Sequence, residues 1–480
     1  MAIKRYTADA DTTITNAYKP NLRTRATDAN MGESDILETF SIYAQASSSS
    51  YEKSRILTKF PISEIISDRA AGSIPASGSV NFFIKLSNAK HSEATPEDFT
   101  LNVLAVSKSW DEGYGLDMES YKDLGTANWI SASCLNGTGS AWATEGGDYH
   151  ASPVYESFFD YGTEDLEVDI TQLVEEWIDG TKSNYGVGVH LTSSDEGAAR
   201  SFYTKRFFAR GSEFFFKRPY IEARYDSTIK DRRNSFIVSS SLLEAEDNEN
   251  TLFIYNRVRG HLKNIPGVGT GSIHISLYSG SYLPVGNPLT LSNGNQSVEG
   301  GFYDTGIYTA SVGVFVEFPY VYDVWHNDLP DPGRVEYTTG SRISVLAHDA
   351  SNQVDTVGYV SSITNLQRSY RKGENVRFRT FARFKDWNPT IYTVSTTNIE
   401  SEIIEDAYYK IYRIIDGFEV TGYGTGSLNH TRLSYDLEGN YFDFDMSILE
   451  PGYMYAIKLA YFRSGKYEEQ PETFKFKVKQ

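Results

Sequence analysis

The sequence predicts an all-β protein that consists of several domains and contains one short helix. Its 480 residues correspond to roughly two to four domains of about 100–200 residues each. The 34 tyrosines, the 27 phenylalanines and the many Thr, Ser and Gly residues favour strands and turns. Short segments of alternating apolar and polar residues, bounded by turn residues, recur along the chain, whereas helical periodicity is confined to one segment.

That helical segment lies between two strand-like segments of the first domain. Asp169 can cap the helix, and Ile170, Val174 and Trp177 follow at i, i+4 and i+7 on one face. Gly180 ends it. A helix this short is unstable alone in water, so its apolar face must pack against a sheet. Trp177 is therefore the predicted structural anchor of the first domain.

Three tryptophans occur in a loop-rich stretch between residues 107 and 159, which contains many Gly, Ser and Asp residues. They are Trp110, Trp129 and Trp142. Long ordered loops often carry function, and a tryptophan ring can stack on the apolar face of a sugar, so these residues are candidate contacts for a glycan or a partner. The alternative is that they pin the loop onto the sheet, because large aromatic side chains are mostly buried.

Five successive blocks of residues 1–226 resemble a known module. They are ADADTTITNAY, SRILTKFPISEI, LAVSKSWDEG, VDITQLVEEWIDGTKSNYGVGVHL and FFFKRPYIEARY. In this order they resemble a DNRLRE-type domain, a jelly roll related to carbohydrate-binding modules. The resemblance implies that residues 1–226 form an N-terminal jelly-roll β-sandwich.

A charged segment that is poor in apolar residues, at 226–234, predicts the first domain boundary. Residues 227–364 then read as a middle immunoglobulin-like β-sandwich, and residues 365–480 as a C-terminal immunoglobulin-like or fibronectin-like β-sandwich. In the last domain, LEPGYMYAIKLAY resembles the tyrosine corner of such folds. Tyr455 stands where the corner tyrosine would bond back to the backbone, and it is the second predicted structural anchor.

Composition and motifs narrow the classes of partner and cofactor. A net charge of −18 repels phosphate backbones, so no nucleic-acid partner is expected. No segment approaches 18 consecutive apolar residues, so no membrane span is expected. The single cysteine, Cys134, excludes an intrachain disulfide. No catalytic motif is present, and no cofactor is expected; calcium is the one candidate ion, with Asp9, Asp11 and Asp28 as candidate ligands.

The N-terminal sequence has no apolar segment of the signal-peptide type. A surface-module fold without an export signal or disulfides is similar to structural proteins of tailed bacteriophages, and the N-terminus resembles virion structural proteins of marine tailed phages. The resemblance implies a protein that is assembled in the host cytoplasm and located in the virion. It implies docking onto other virion proteins in symmetric copies, at the tail, baseplate or neck, with capsid decoration less favoured.

Three functions therefore stand as hypotheses. The first is a non-enzymatic structural component of a tailed bacteriophage virion. The second is a carbohydrate-binding or adhesin protein that contacts host surface glycans through the three tryptophans. The third is a polysaccharide-degrading enzyme, which we do not expect because no catalytic motif supports it.

Overall fold

The computed structural model describes residues 2–122, 125–135, 138–244, 247–329, 332–346, 358–387, 401–463 and 465–480. The chain divides into two compact units, residues 1–226 with 426–430 and residues 227–425 with 431–480. Strands are the main regular structure of the described residues and the helices are few and short, which confirms the all-β prediction. None of the helices in these ranges has the length and apolarity needed to cross a membrane.

The strands of the first unit are short and joined mostly by loops. They are β1 (Ile3–Thr7), β2 (Ala10–Thr15), β3 (Ile36–Tyr43), β4 (Tyr51–Lys59), β5 (Asn81–Leu86), β6 (Phe99–Val106), β7 (Ser131–Leu135), β8 (Thr138–Ala141), β9 (Tyr149–Phe159), β10 (Leu166–Asp169), β11 (Val187–Leu191), β12 (Phe202–Phe208) and β13 (Tyr220–Arg224). The helices are α1 (Ile62–Ala70), α2 (Thr171–Ile178) and α3 (Ser193–Glu196), with a 3-10 turn at Phe215–Lys217.

Two antiparallel sheets form the sandwich of the first unit. The four-stranded sheet has the order β1-β13-β5-β10, and the seven-stranded sheet has the order β12-β3-β4-β11-β6-β9 with β2 beside β4. The chain alternates between the sheets, because β5 follows β4 and precedes β6, and β10 likewise falls between β9 and β11. The orders β1-β13-β5-β10 and β4-β11-β6-β9 are those of a jelly roll, to which β2, β3 and β12 are added. The predicted jelly-roll sandwich is confirmed.

Apolar side chains cover both faces of the seven-stranded sheet. Ile56 and Val103 point toward the four-stranded sheet and belong to the main core. Leu57 and Val106 point the other way and pack in a second buried cluster. Because side chains alternate between the faces of a strand, neighbours in β4 enter different cores. The seven-stranded sheet is therefore the middle layer of this unit.

Helix α2 packs into the main core as its apolar spacing predicts. Ile170, Val174 and Trp177 are all buried there. The helix begins at Thr171, so the cap differs from the prediction: Ile170 is the residue before the helix, and Asp169 lies one position further away. Its Oδ1 accepts the Thr171 N–H at 2.9 Å. Asp169 thus still satisfies one N–H group at the helix start.

Helix α1 is an additional helix that the sequence did not predict. Only Ile62 and Ile65 are buried in it, which is too short an apolar repeat to signal a helix. Arg69 near its end donates two hydrogen bonds of 2.7 Å to the carboxylate of Glu175 on α2. A bidentate Arg–carboxylate pair of this kind fixes the two helices against each other.

The second unit begins with a 3-10 turn at Arg232–Asn234 and continues with a middle sandwich. Its strands are β14 (Asn250–Tyr255), β15 (Arg257–Val258), β16 (His261–Leu262), β17 (Ile273–Ser279), β18 (Val298–Asp304), β19 (Ile307–Val312), β20 (Tyr320–His326), β21 (Glu336–Thr339) and β22 (Ile343–Ser344). Residues 298–300 of β18 pair with β17, and residues 301–304 pair with β19. One layer is thus β14-β19-β18 and the other β18-β17-β20, with β21 and β22 on β20.

The C-terminal sandwich completes the second unit. Its strands are β23 (Tyr359–Ile363), β24 (Ser369–Arg371), β25 (Asn375–Phe384), β26 (Ala407–Arg413), β27 (Glu419–Thr421), β28 (Ser434–Asp436), β29 (Gly439–Asp445), β30 (Met454–Arg463), β31 (Lys466–Glu469) and β32 (Phe474–Lys479), with a 3-10 turn at Met446–Ile448. The sheets are β23-β25-β29-β28 and β24-β32-β30-β26-β27, with β31 on β30. Within these sheets, the four strands β23-β25-β29-β28 and the three strands β32-β30-β26 have the order of an immunoglobulin fold.

Aromatic rings join the two sheets of the C-terminal sandwich. Tyr409 of β26 stacks on Phe442 of β29 with ring centroids 4.0 Å apart. Phe378 of β25 lies 6.0 Å from Phe476 of β32. All four rings are buried, so this core uses the aromatic residues that dominate the composition.

The predicted start of the C-terminal domain at residue 365 is too late. Strand β23 pairs with β25 and therefore belongs to the C-terminal sandwich, although it ends at Ile363. Its sequence, YVSSI, contains two serines and gives a weaker strand signal than the apolar β25.

We expect Trp177→Ala to destabilise the first unit by about 3–5 kcal/mol, because the side chain fills the main core beside α2. Urea unfolding of the full-length chain measures this as a shift of the transition of the first unit. The matched control is Phe158→Ala, since Phe158 is 63% exposed, and it should change the stability by less than about 1 kcal/mol. Equal effects of the two substitutions would show that Trp177 does not anchor this core.

Candidate functional site

The three tryptophans proposed as glycan or partner contacts are brought together but are buried. Trp110, Trp129 and Trp142 are 7%, 4% and 6% exposed, and they share the cluster on the outer face of the seven-stranded sheet. The indole nitrogen of Trp110 donates to the carbonyl of Tyr185 at 2.8 Å, and that of Trp142 donates to the carbonyl of Asn128 at 2.9 Å. These rings are not available to stack on a sugar. The interpretation in which they pin the loop segment onto the sheet is the one that fits the structure.

An ion pair supports the same segment from the sheet side. Arg55 of β4 donates to the carboxylate of Glu196 at 2.9 and 2.7 Å, and to the carbonyl of Gly146 at 3.0 Å. Its guanidinium carbon lies 5.4 Å from the ring centroid of Trp129. Burial alone would raise the pKa of Glu196, but the hydrogen bonds and the charge of Arg55 lower it below its usual value. The charged pair therefore fixes the tryptophan-containing segment to the sheet.

The three aspartates proposed for calcium do not form a shared set of ligands. Asp11 is buried, and its Oδ2 accepts the backbone N–H of Arg210 at 2.6 Å. Burial raises the pKa of Asp11 to about 7. Asp28 pairs with Lys122 at 3.0 Å, and Asp9 is exposed. Within the described ranges, no three His, Cys, Asp or Glu side chains are grouped so that they could hold a metal ion.

Tyr455 makes the bond that the tyrosine-corner motif predicts. Its hydroxyl donates to the carbonyl of Glu450 at 2.8 Å, five residues upstream, and its side chain is fully buried. The bond closes the turn that leads into β30. Tyr455 is therefore a structural anchor of the C-terminal sandwich and takes no part in a reactive site.

The second unit contains a polar cleft that the sequence did not predict. Its volume is about 350 Å³. Both sandwiches of the unit contribute to its walls. Charged and aromatic lining residues include Asp231, Arg233, Tyr255, Asp323, Trp325 and Arg379.

Arg233 and Asp323 form the buried centre of this cleft. The two guanidinium Nη atoms donate to the two carboxylate oxygens of Asp323, each at 2.6 Å, and Nη2 also donates to the carbonyl of Phe253 at 2.9 Å. Asp323 is fully buried and accepts a further bond from the indole nitrogen of Trp325 at 2.7 Å. A Cβ atom at Gly340 would lie 1.9 Å from Oδ1 of Asp323, so only glycine leaves room for this carboxylate. The pair is bidentate, desolvated and fully hydrogen-bonded.

The segment before Arg233 is joined to the C-terminal sandwich as an added strand. Tyr435 of β28 donates its N–H to the carbonyl of Ile229 at 2.9 Å, and Asp231 donates its N–H to the carbonyl of Tyr435 at 3.1 Å. Lys230 and Tyr435 form a parallel bridge. Burial raises the pKa of Asp231 to about 7, against the opposing charge of Arg233. The linker thus covers an edge of one sandwich and inserts a cation into the other.

These contacts indicate a joint and not a reactive centre. Arg233 is held by Asp323, and Arg379 on the opposite wall is held by Asp436 at 2.5 Å. Each cation of the cleft therefore has a carboxylate partner within the chain. Groups paired in this way rigidify a structure, whereas general acids, bases and nucleophiles must reach a substrate.

One end of the middle sandwich is apolar and exposed. Because Ser279 pairs with Val321, the loop after β17 and the loop before β20 leave the sheet at the same end. The exposed side chains of these loops are Tyr282 (88%), Leu283 (71%), Val285 (60%), Phe315 (66%) and Val316 (59%). We call this set the apolar end. A groove of about 480 Å³ runs beside Tyr282 and is also lined by Tyr322 and Arg342.

No protein-family model and no curated protein matches the chain. Solved structures with partial similarity include a chimeric titin Z1Z2 tandem, with 11% identity, 52% of this chain and 95% of that chain covered, and a TM-score of 0.15. The native conformation of E. coli alpha-2-macroglobulin has 8% identity, coverages of 92% and 20%, and a TM-score of 0.16. The chicken CNTN1 FN1-FN3 domains have 9% identity, coverages of 58% and 82%, and a TM-score of 0.13. At such TM-scores the fold assignment relies on the strand order described above.

We expect Asp323→Ala to destabilise the second unit by about 3–5 kcal/mol, because it leaves the guanidinium of Arg233 buried without its partner. The matched control is Asp443→Ala. Asp443 also forms a bidentate pair, with Arg377 at 2.7 and 2.8 Å, but both side chains are more than a third exposed. Removal of that pair should cost about 0–1 kcal/mol. Urea unfolding of the full-length proteins compares the two, and similar losses would contradict a buried clamp at Asp323.

Proposed function

We propose that this chain is a non-enzymatic structural component of a tailed bacteriophage virion and that it acts by protein–protein docking. The resemblance of residues 1–226 to surface modules, and of the N-terminus to virion structural proteins of marine tailed phages, motivates the proposal. The partners are other virion proteins, contacted by several symmetric copies of this chain at the tail, baseplate or neck. Such a protein is assembled in the host cytoplasm and resides in the particle.

The observation that supports docking most directly is the apolar end of the middle sandwich. Contiguous exposed apolar surface is a feature of protein interfaces, whose buried centres are depleted in charge and enriched in aromatic residues. Tyr282, at 88% exposure, is a large aromatic side chain of the kind that anchors interfaces. A net charge of −18 keeps the rest of the surface hydrated, so the apolar end differs from its surroundings.

The internal ion pairs support the same function in a second way. The clamp of Arg233 and Asp323 fixes the linker to the middle sandwich, and the added strand at Tyr435 fixes it to the C-terminal sandwich. A protein that bridges parts of a particle must transmit force without bending at its joints. The ion pairs described above fit this mechanical role better than a catalytic one.

The carbohydrate-binding hypothesis loses one of its two grounds, because Trp110, Trp129 and Trp142 are buried, and it keeps the resemblance to carbohydrate-binding modules. It stays a prediction for some other surface of the jelly roll. The hypothesis of a polysaccharide-degrading enzyme also stays a prediction, and no site described above favours it.

We expect purified particles washed in about 1 M salt to retain the chain, because apolar docking persists where the Debye length is only about 3 Å. Mass spectrometry of the washed particles measures this. Tyr282→Asp combined with Leu283→Asp should lower incorporation at least about tenfold when the variant replaces the wild type during infection, since about 1.4 kcal/mol of lost binding is sufficient.

The control for this substitution lies at the opposite end of the same sandwich. Leu329 follows β20 and is 56% exposed, so Leu329→Asp changes charge and apolarity in a similar way away from the apolar end. We expect its incorporation to match the wild type. Absence of the wild-type chain from intact particles before the wash would overturn the proposed function, and its loss during the wash alone would overturn apolar docking. Normal incorporation of the double variant would overturn the role of the apolar end.

A further inference from the structure

Lys205 of β12 is a buried lysine whose hydrogen-bond acceptors are all neutral. The residue is 1% exposed. Its Nζ lies 2.8 Å from Oδ1 of Asn88, 2.8 Å from the carbonyl oxygen of Gly162 and 2.6 Å from the carbonyl oxygen of Glu164. Buried lysines are rare because an ammonium group loses its hydration, and a carboxylate partner usually compensates for that loss. Here the nearest side-chain acceptor is the amide of Asn88.

The surroundings of Lys205 favour its neutral form. The phenyl rings of Phe159 and Phe207 each have their centroid 4.8 Å from Nζ. Burial lowers the pKa of Lys205 to about 8, against the opposing charges of Glu164 and Asp165. About a tenth of the molecules then carry a neutral amine at pH 7. A neutral, desolvated lysine is a nucleophile, as in enzymes that use lysine for covalent chemistry.

Asn88 is held in place opposite this amine. Its backbone N–H donates to the carboxylate of Asp165 at 2.7 Å, and its backbone forms a bridge with Phe207. An amide C=O bond is about 1.2 Å long, so an amine within hydrogen-bond distance of Oδ1 is within about 4 Å of the amide carbon. That separation is close to the distance of about 3–3.5 Å at which a positioned nucleophile reacts.

The carboxylate of Glu164 lies near the pair but forms no ion pair with Lys205. Oε1 of Glu164 accepts the N–H of Tyr161 at 2.7 Å, while Oε2 is shielded from solvent and has no hydrogen-bond partner within the described ranges. Burial alone would raise the pKa of Glu164, but the N–H of Tyr161 and the charge of Lys205 help to lower it below its usual value. Glu164 is therefore ionised at neutral pH, and its charge acts on Lys205 without direct contact.

We propose that Lys205 and Asn88 react to form an amide crosslink within the first unit. The Nζ lone pair attacks Cγ of Asn88, a bond forms between Nζ and Cγ, and the bond between Cγ and Nδ2 breaks. A proton of the lysine nitrogen passes to Nδ2, which leaves as ammonia. A primary amide and an amine thus become a secondary amide plus ammonia, and no oxidant or cofactor is consumed.

The crosslink would tie the two layers of the jelly roll together. Asn88 follows β5 of the four-stranded sheet, and Lys205 lies in β12 at the edge of the seven-stranded sheet. The outer strand of a sheet is the easiest to detach, and besides its pairing with β3, β12 has backbone bonds of 3.0 Å with Ser87 and with Ala89. A covalent bond at this point resists that detachment. This inference goes beyond the proposed function and does not depend on it.

The intact mass of the full-length wild-type chain, kept at pH 8.5, tests the proposal. We expect a mass lower than that of the sequence by one ammonia, about 17 Da, and a branched peptide in a digest that joins the segments around residues 88 and 205. Lys205→Arg and Asn88→Ala should each keep the full mass.

A matched control variant lies on β5, the strand that precedes Asn88. Asn81→Ala removes an asparagine of β5 that does not contact Lys205, and it should still lose one ammonia. A wild-type chain with the full sequence mass after this incubation overturns the proposal. So does a loss of about 17 Da in which the lysine is unmodified, because an asparagine that cyclises on its own backbone loses the same mass. The wild-type measurement decides the question even if a variant fails to fold.

Discussion

Both faces of the seven-stranded sheet in the first unit carry large apolar side chains, and neither face can be left in water. All five residues of β11, in the middle of this sheet, are buried. The four-stranded sheet covers one face, and the segment with the three tryptophans covers the other. Burial of each such side chain stabilises the folded state by about 1.5–3 kcal/mol, so covering both faces of the sheet is strongly favoured. The long excursion between β6 and β9 is therefore a third structural layer.

The need to bury both faces of the sheet also explains the charged residues near the tryptophan segment. Arg55 and Glu196 lie on the covered side, where a lone charge would be costly, and each satisfies the other. The second unit uses the same solution at Arg233 and Asp323. In both units the buried charges hold segments onto sheets. Contacts with other molecules must then be made by exposed surfaces, and the apolar end is such a surface.

Sequence reasoning predicted the features that depend on local periodicity. Strands β3 and β6, at Ile36–Tyr43 and Phe99–Val106, are of this kind, because apolar residues and turn residues mark both ends. The apolar face of α2 followed from the spacing of Ile170, Val174 and Trp177. The corner motif likewise located Tyr455, since Pro451 and Gly452 turn the chain shortly before it in sequence.

The remaining features depend on contacts between residues far apart in sequence. The tryptophans allowed two interpretations, because a loop residue shows no alternation from which its burial could be read. The partners Arg233 and Asp323 are 90 positions apart, and Lys205 and Asn88 are 117 apart. A local signal existed in each case: Asp323 interrupts the apolar strand YVYDVWH, and Lys205 lies in the aromatic strand FYTKRFF. A charged residue inside such a strand indicates a buried partner without identifying it.

Hydrogen exchange tests most directly whether the tryptophan segment is a structural layer. Its amides are bonded within the layer, from Ala127 to the carbonyl of Asp111 at 2.7 Å, from Trp142 to Ile130 at 2.9 Å and from Gly146 to Trp129 at 2.8 Å. If the segment is part of the folded core, these amides should exchange as slowly as those of β11, through opening of the whole unit. Exchange at the rate of an unprotected loop, while β11 stays protected, would contradict the account and return this segment to the class of mobile binding loops.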